Sequence, residues 1–241
     1  MTYDGLPERA LGQLVSAPLV VAHDSLPSTL DLAHELAAQG APEGTLVLAD
    51  EQTAGRGRQG RAWHSPRGAG LWMALVMRPR RPPSAGALAV RAGLAVVDAV
   101  AEAAPGLTPR LKWPNDLVVA GRKAGGVLCE ARWTGDELAW VAVGVGINVR
   151  GPVPQELADS AVALSDVAPG VGRLLVLTAL VPRLLATSSR PSVLDPAERA
   201  RFHAVAAPLP ATEGLLEDLE PDGALLLRRP DGSLDRRAAP T

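Results

Sequence analysis

Asp116-Leu117-Val118-Val119-Ala120-Gly121-Arg122-Lys123-Ala124-Gly125-Gly126-Val127-Leu128-Cys129-Glu130-Ala131-Arg132-Trp133-Thr134-Gly135-Asp136-Glu137-Leu138-Ala139-Trp140-Val141-Ala142-Val143 is the run that decides the fold class. Three strand-like segments stand in it, at 116–119, 126–133 and 137–143, parted by turns at Ala120-Gly121 and Thr134-Gly135-Asp136. Apolar runs bounded by glycine-containing turns read as neighbouring antiparallel strands. The expectation is an α+β fold, a mixed and mainly antiparallel sheet with helices covering one face, rather than a parallel βαβ series.

Working outward, strands are predicted at 45–50 and 71–77. A helix starts at Ser28-Thr29, where either residue suits the N-cap, Asp31 adds charge to the first turn, and Leu32, Ala33 and Leu36 repeat at helical spacing up to Gly40. An Ala-rich helix over 84–103 ends at Pro105-Gly106. Two more helices are expected over 174–185 and 195–205, after which Pro208-Leu209-Pro210 reads as a hinge. Short strands at 214–219, 224–228 and 234–237, with turns at Pro221-Asp222-Gly223 and Asp231-Gly232, form a small all-β tail. That tail is too short to stand alone, so the expected division is 1–205 for a main domain and 206–241 for a small β domain packed on it.

The chemistry gathers first in Gly55-Arg56-Gly57-Arg58-Gln59-Gly60-Arg61. Glycines allow close backbone approach to a ligand and guanidiniums take phosphate or carboxylate oxygens, so this loop is built to hold an anion. Its glycines also satisfy the G-x-G-x-x-G spacing of dinucleotide-binding folds, which requires a helix to open at the third glycine. Ala62-Trp63-His64-Ser65-Pro66 follows instead, then another strand, so the dinucleotide match is accidental.

The chain has 241 residues, 47% hydrophobic and 21% charged, enough for a sizeable core. A formal net charge of −2 gives no general attraction for a polyanion, so the arginine cluster serves a small anion or a local contact. The single cysteine, Cys129, lies in an apolar run and reads as a small buried hydrophobe rather than a nucleophile. Without a basic-then-apolar leader or a run of about 18 apolar residues, the expectation is a cytoplasmic protein with no membrane and no nucleic-acid partner.

Three further constellations matter. Arg110-Leu111-Lys112-Trp113-Pro114-Asn115-Asp116 holds a lysine, an amide and a carboxylate on a rigid Trp-Pro step, suited to phosphate neutralisation and metal or base orientation, or to a plain surface turn with a buried tryptophan. Gly121-Arg122-Lys123-Ala124-Gly125-Gly126 delivers Lys123 to the start of a strand of small residues, or is a solvated hairpin tip. Gly144-Val145-Gly146-Ile147-Asn148 is a strand end with two glycines beside an amide, or a β-bulge.

In this order the motifs resemble the biotin protein ligases. The resemblance rests on Ser28-Thr29, Gln52, the run from Gly55 to Arg61 with Trp63, the run from Lys112 to Asp116, Arg122-Lys123 with Gly126, and the run from Gly144 to Asn148, and covers roughly residues 20–240. It implies a class II synthetase-like biotin/lipoate ligase catalytic domain with a small C-terminal SH3-like β-barrel. It implies two-step chemistry: biotin and Mg·ATP give biotinyl-5′-AMP and pyrophosphate, then a lysine of a biotin carboxyl carrier protein of acetyl-CoA carboxylase or a related enzyme takes the biotinyl group. Phosphoryl transfer of this kind needs positioning and charge neutralisation more than a protein nucleophile.

The resemblance also implies roles. Ser28, Thr29, Leu30, Gln52, Gly55, Arg56, Gly57, Arg58, Lys123, Gly126, Gly144 and Gly146 would surround biotin, and Arg56, Arg58, Arg61, Trp63, Lys112, Asn115, Asp116 and Asn148 would surround ATP. Lys123, Arg58 and Lys112 would carry the catalytic charge, and Asp116 would orient Mg²⁺. Leu30 stands where the family usually has Asn, so one polar contact is lost or supplied elsewhere. The tail runs to Ala238-Ala239-Pro240-Thr241, where the family commonly carries a further strand, so the resemblance leaves open whether the small barrel is complete. The stretch ahead of Ser28 is short for the winged helix-turn-helix of bifunctional members, hence the expectation of no specific DNA binding. A monomer and an edge-paired homodimer are both compatible with the sequence. Lipoate ligases and octanoyl transferases of the same fold are the alternative, and a non-catalytic nucleotide-binding module is a further one.

Overall fold

The structure is a computed structural model that describes residues 1–239; Pro240 and Thr241, the end of the tail discussed above, lie outside the described residues. In chain order the elements are β1 (Thr2–Tyr3), β2 (Leu6–Pro7), α1 (Glu8–Val15), β3 (Val20–His23), α2 (Thr29–Ala38), β4 (Leu46–Ala49), β5 (Gly70–Met77), α3 (Ala85–Ala103) and β6 (Arg110–Lys112). There follow β7 (Asp116–Val119), β8 (Arg122–Thr134), β9 (Glu137–Asn148), α4 (Arg173–Thr187), α5 (Pro196–Val205), β10 (Leu215–Leu219), β11 (Leu225–Arg228) and β12 (Leu234–Arg237).

Seven strands form the main sheet in the order β3-β4-β5-β9-β8-β7-β6. The meander from β6 to β9 is antiparallel throughout, β9 closes against β5, and only β3 and β4 run parallel. Alternation along the strands sends Leu46, Leu48, Met73, Leu75, Val143, Val145 and Ile147 to a core shared with α1, α3 and α4. Val47, Ala49, Trp72, Ala74, Val76 and Ala142 face the other way, against Leu30, Ala33 and Ala37 of α2. The expectation of helices on one face is therefore corrected: α2 covers part of the opposite face. The reason is legible in β5, Gly70–Met77, whose eight residues are all buried because a strand covered on both sides has no polar alternate positions.

Two strands outrun their sequence-predicted bounds. β9 continues to Asn148 in regular pairing with β5, Gly70 opposite Asn148, so its glycines lie inside a strand and no bulge forms there. β8 begins at Arg122, and the irregularity falls in its pairing with β7, where Leu117 and Val118 oppose Gly125 and Lys123. Ala124 is the extra residue, fully buried, and such a bulge re-aims the side chain beside it, here Lys123. The segment before Ser28 holds α1 and β3, which the sequence reading left unassigned. Leu11 and Val15 of α1 are buried one turn apart, the amphipathic signal of a helix too short to stand out.

β10, β11 and β12 form a separate three-stranded antiparallel sheet, as expected for a small SH3-like β unit. It leans on the main body as anticipated: Leu219, Leu225 and Leu227 join the large core. The Trp113 indole N–H donates to the Gly223 carbonyl at 2.9 Å, and Ser84 Oγ donates to the Asp222 carbonyl at 3.0 Å. Gly86 in the first turn of α3 makes this approach possible, because a Cβ there would lie 2.5 Å from the Asp222 carbonyl oxygen. Gly86→Val is expected to push the small sheet off α3 while the main sheet stays folded, and limited proteolysis should then cut near Pro208-Leu209-Pro210 faster than in the parent. Equal cleavage rates would contradict this contact.

Candidate functional site

The face of the sheet beyond α2 is bare, and a cleft of about 760 Å³ opens there. Its floor is made of glycines. Gly126 of β8 and Gly146 of β9 are directly paired, and Gly144 is the preceding residue on the same face. A Cβ on Gly144 would lie 2.7 Å from the Leu30 side chain, and one on Gly146 would lie 2.5 Å from Trp63 Nε1. Leu30 and Trp63 settle on the strand only because it has no side chains there. Leu30 is buried, so the position where an Asn was expected is filled by packing against Gly144.

The arginine-glycine loop forms one wall. It closes on itself, with the Gly57 N–H donating to the Arg61 carbonyl at 2.7 Å and the Trp63 N–H donating to the Gly55 carbonyl at 2.8 Å. No helix opens after Gly60, in keeping with the dismissal of the dinucleotide fingerprint. Gly55 is buried beneath the loop and does not line the cleft; a Cβ there would meet the Trp63 carbonyl at 2.6 Å. Gln52 lines the cleft and also braces it. Its Oε1 accepts from the Thr29 N–H at 2.8 Å and from Thr29 Oγ1 at 3.0 Å, while its Nε2 donates to Ser65 Oγ at 2.9 Å. It thus ties the start of α2 to the loop. Ser28 is the N-cap of α2 by backbone geometry, yet its side chain makes no capping bond and lines the cleft.

Arg56, Arg58, Lys112 and Lys123 all reach the same cleft. Arg56 is clamped by carboxylates: Nη2 donates to Asp31 Oδ1 at 2.5 Å and Nη1 to Glu130 Oε1 at 3.2 Å. Arg58 Nη1 donates to Asn115 Oδ1 at 2.8 Å, and the Asn115 amide donates in turn to the Val127 carbonyl at 2.5 Å. Burial lowers the Arg58 pKa from its ordinary value, with Asp116 acting in the opposite sense. Lys123 Nζ pairs with Asp116 Oδ1 at 2.7 Å and stands 5.2 Å from the centre of the Trp63 ring, a cation–π distance. Trp63 Nε1 is buried with no hydrogen-bond partner among the described residues. Asn148 donates weakly to the Val162 carbonyl at 3.4 Å, and the exposed Arg61 donates from Nη2 to Gln59 Oε1 at 3.2 Å. The Trp113-Pro114 peptide within the Lys112–Asp116 run is cis.

All the sequence-predicted site residues apart from Gly55 therefore line one cleft. Sequence reasoning missed the far wall, Leu209, Glu213, Leu225 and Arg237 from the C-terminal segment, and the network behind Arg56 formed by Asp31, Glu130, His34 and Trp140. The one available signal was Glu130, a carboxylate inside an apolar strand. Cys129, expected to be buried, is partly buried against the core, and desolvation pushes its thiol pKa up to about 12. Among the described residues no group of three His, Cys, Asp or Glu side chains is placed to hold a metal ion, and no helix is long and apolar enough to cross a membrane.

Glu130 is held below the usual carboxylate range, chiefly by the hydrogen bond from His34 and then by the charges of Arg56 and Arg132, against its own desolvation. A depressed carboxylate stabilises the fold above the unfolded-state value, about 4.3, and that stabilisation is lost as pH falls through the folded value. The parent's advantage in melting temperature over Glu130→Gln is therefore expected to be full at neutral pH and to shrink in acid. A gap between the two that grows on acidification would refute the assignment.

A sheet floored with glycine and rimmed with arginines and lysines defines a binder of anionic ligands. Residues 22–148 match the Biotin/lipoate A/B protein ligase family, and the chain belongs to that family. The bifunctional ligase/repressor BirA of Bacillus subtilis is 45% identical over 168 residues, 68% of this chain and 50% of that protein. The biotin--[acetyl-CoA-carboxylase] ligase of Mycobacterium tuberculosis is 39% identical over 135 residues, 54% of this chain and 48% of that one. The matched stretch thus spans about half the length of the curated relatives. The biotin protein ligase of Aquifex aeolicus, solved in complex with biotin and ATP, superposes with a TM-score of 0.74 and 26% identity over 91% of this chain and 95% of that one.

Proposed function

We propose that this chain is an ATP-dependent ligase that activates biotin as biotinyl-5′-AMP and transfers it to a lysine of a biotin carboxyl carrier protein of acetyl-CoA carboxylase or a related biotin enzyme. The observation that carries this reading is the convergence of Arg56, Arg58, Lys112 and Lys123 on one glycine-floored cleft. Family membership and the likeness to a ligase solved with biotin and ATP support it. In the first step a biotin carboxylate oxygen bonds to the α-phosphorus of ATP and pyrophosphate leaves. In the second, the lysine amine bonds to the biotinyl carbonyl carbon, AMP leaves, and the amine gives up a proton.

The chain's own groups fit these steps. Ser28, Thr29, Leu30, Gly144 and Gly146 flank the end of the cleft under α2, and we assign biotin's ring system to it; Gln52 and Gly55 shape that end from beneath, and Gly57 and Gly126 let the chain approach the ligand closely. To Lys123, re-aimed by the bulge at Ala124 and paired with Asp116, we assign the stabilisation of charge that builds where carboxylate and α-phosphate meet. Lys112 and Arg61 neutralise the outer phosphates, Arg58 closes over the adenylate, and Asn115 and Asn148 hold polar groups of the nucleotide. Trp63, whose indole N–H has no partner among the described residues, offers a ring face and a donor to the nucleotide. Mg²⁺ supplies charge neutralisation at the phosphates. Asp116 is the carboxylate that would hold such an ion beside Lys123. We further propose the division 1–205 and 206–241, the smaller part walling the nucleotide end, and a cytoplasmic site of action as monomer or edge-paired homodimer.

Pyrophosphate release from Mg·ATP with biotin, with lipoate and with neither, in the absence of acceptor, tests the reading. A biotin-dependent burst of about one equivalent per site is expected. Lipoate-dependent release alone would move the chain to the sister activity, and no release with either would leave a binding module. Lys123→Ala is expected to lower adenylate formation by at least about 10²-fold. Arg58→Ala should still make adenylate but release it, seen as continuous pyrophosphate production without acceptor. Parental turnover by Lys123→Ala would sink the assignment of that residue.

A further inference from the structure

Behind Arg56 lies a chain of hydrogen bonds that touches no ligand space. Trp140 on β9 donates its indole N–H to Nδ1 of His34 on α2 at 2.9 Å. His34 Nε2 meets Glu130 Oε2 on β8 at 3.0 Å, and Glu130 Oε1 accepts from Arg56 Nη1 at 3.2 Å. The indole can only donate, so Nδ1 must accept, and the network assigns the ring proton of neutral His34 to Nε2, facing Glu130. One end of the carboxylate is thereby occupied and the other is turned to the loop. The Arg78 guanidinium, 5.7 Å from the centre of the Trp140 ring, steadies the indole from its far side. Arg56 has a second partner in Asp31, but that side chain is 59% exposed, against 18% for Glu130 and 11% for His34. An exposed pair fixes a side chain poorly, whereas a half-buried carboxylate with an orientated donor on its other oxygen fixes it well.

We propose that Trp140, His34 and Glu130 form a relay that orients Arg56 over the cleft, making His34 and Glu130 positioning residues for the biotin-binding loop. The inference rests on the ligase reading of the same cleft. Three elements that wall the cleft, α2, β8 and β9, each contribute one member, so the loop is registered against the whole wall at once. A glycine-rich loop has little stiffness of its own and depends on such an external anchor.

Steady-state pyrophosphate release by the full chain, with biotin varied at saturating Mg·ATP, separates positioning from mere folding. For His34→Leu and Glu130→Gln the KM for biotin is expected to rise about ten-fold or more while kcat stays within about three-fold. His34→Gln should recover most of the loss, because its carboxamide can accept from Trp140 and donate to Glu130. Folded variants with parental KM, or equal losses for Leu and Gln at position 34, would overturn the relay. A parent that shows no biotin-dependent release defeats the ligase reading instead, and the relay is then judged on two readouts free of turnover. The first is the nitrogen chemical shifts of His34 in the unaltered protein, expected to show an unprotonated Nδ1 and a protonated Nε2; the reverse tautomer refutes the relay. The second is trypsin cleavage after Arg56 and Arg58, expected to accelerate in His34→Leu but not in His34→Gln; equal rates in both refute it.

Discussion

The structure depends on one steric constraint: three positions on adjacent central strands carry no side chain. Gly126, Gly144 and Gly146 leave one face of β8 and β9 open to a ligand, and a Cβ at either residue of β9 would strike Leu30 or Trp63. Glycine inside a strand weakens it through backbone entropy and lost packing. The loss is offset on the reverse face, where Val143, Val145 and Ile147 alternate with the glycines and are buried against the helices. The period of two thus lets one strand serve the core on one side and the cleft on the other.

Three of the cations around that floor are already partnered. Arg56 is held by Asp31 and Glu130, Arg58 by Asn115, and Lys123 by Asp116. An arriving carboxylate or phosphate must therefore exchange one set of charge-assisted bonds for another, and its affinity is the difference between the two. The Lys123 and Asp116 side chains are 38% and 27% exposed, so their pair is screened by water and is surrendered at small cost. Arg56 is bound more firmly because Glu130 is itself held by His34. The cleft accordingly has a fixed end under α2 and an exchangeable end toward Lys123.

Much of this was legible in the sequence, for identifiable reasons. The glycine and arginine runs are local signals whose chemistry does not depend on tertiary placement, and every site residue named from them except Gly55 lines the cleft. Gly55 escaped because a glycine needed for packing beneath a loop looks identical to one needed for ligand approach. The meander was readable from its turns, but α1 and β3 were not, since eight- and four-residue elements carry too few periods to register. The helix on the second face was hidden in a subtler way. An unbroken apolar strand reports that both faces are covered without naming what covers them, and the cover, α2, is far away in sequence. The His34–Glu130–Arg56 network was invisible for the same reason: its members stand 96 and 74 residues apart.

The Lys112–Asp116 run shows why the small C-terminal sheet belongs to the site. Lys112, Asn115 and Asp116 face the cleft, while Trp113 between them hands its indole N–H to Gly223 of the turn joining β10 and β11. Gly223 is in turn pressed against Gly86 at the head of α3, close enough that neither position accepts a side chain. Five consecutive residues therefore set both charges along the cleft and the seat of the sheet that walls it. Asn115 of the same run accepts from Arg58 through its Oδ1, so the arginine-glycine loop and the small sheet are both fastened to these five residues, one from each side of the cleft.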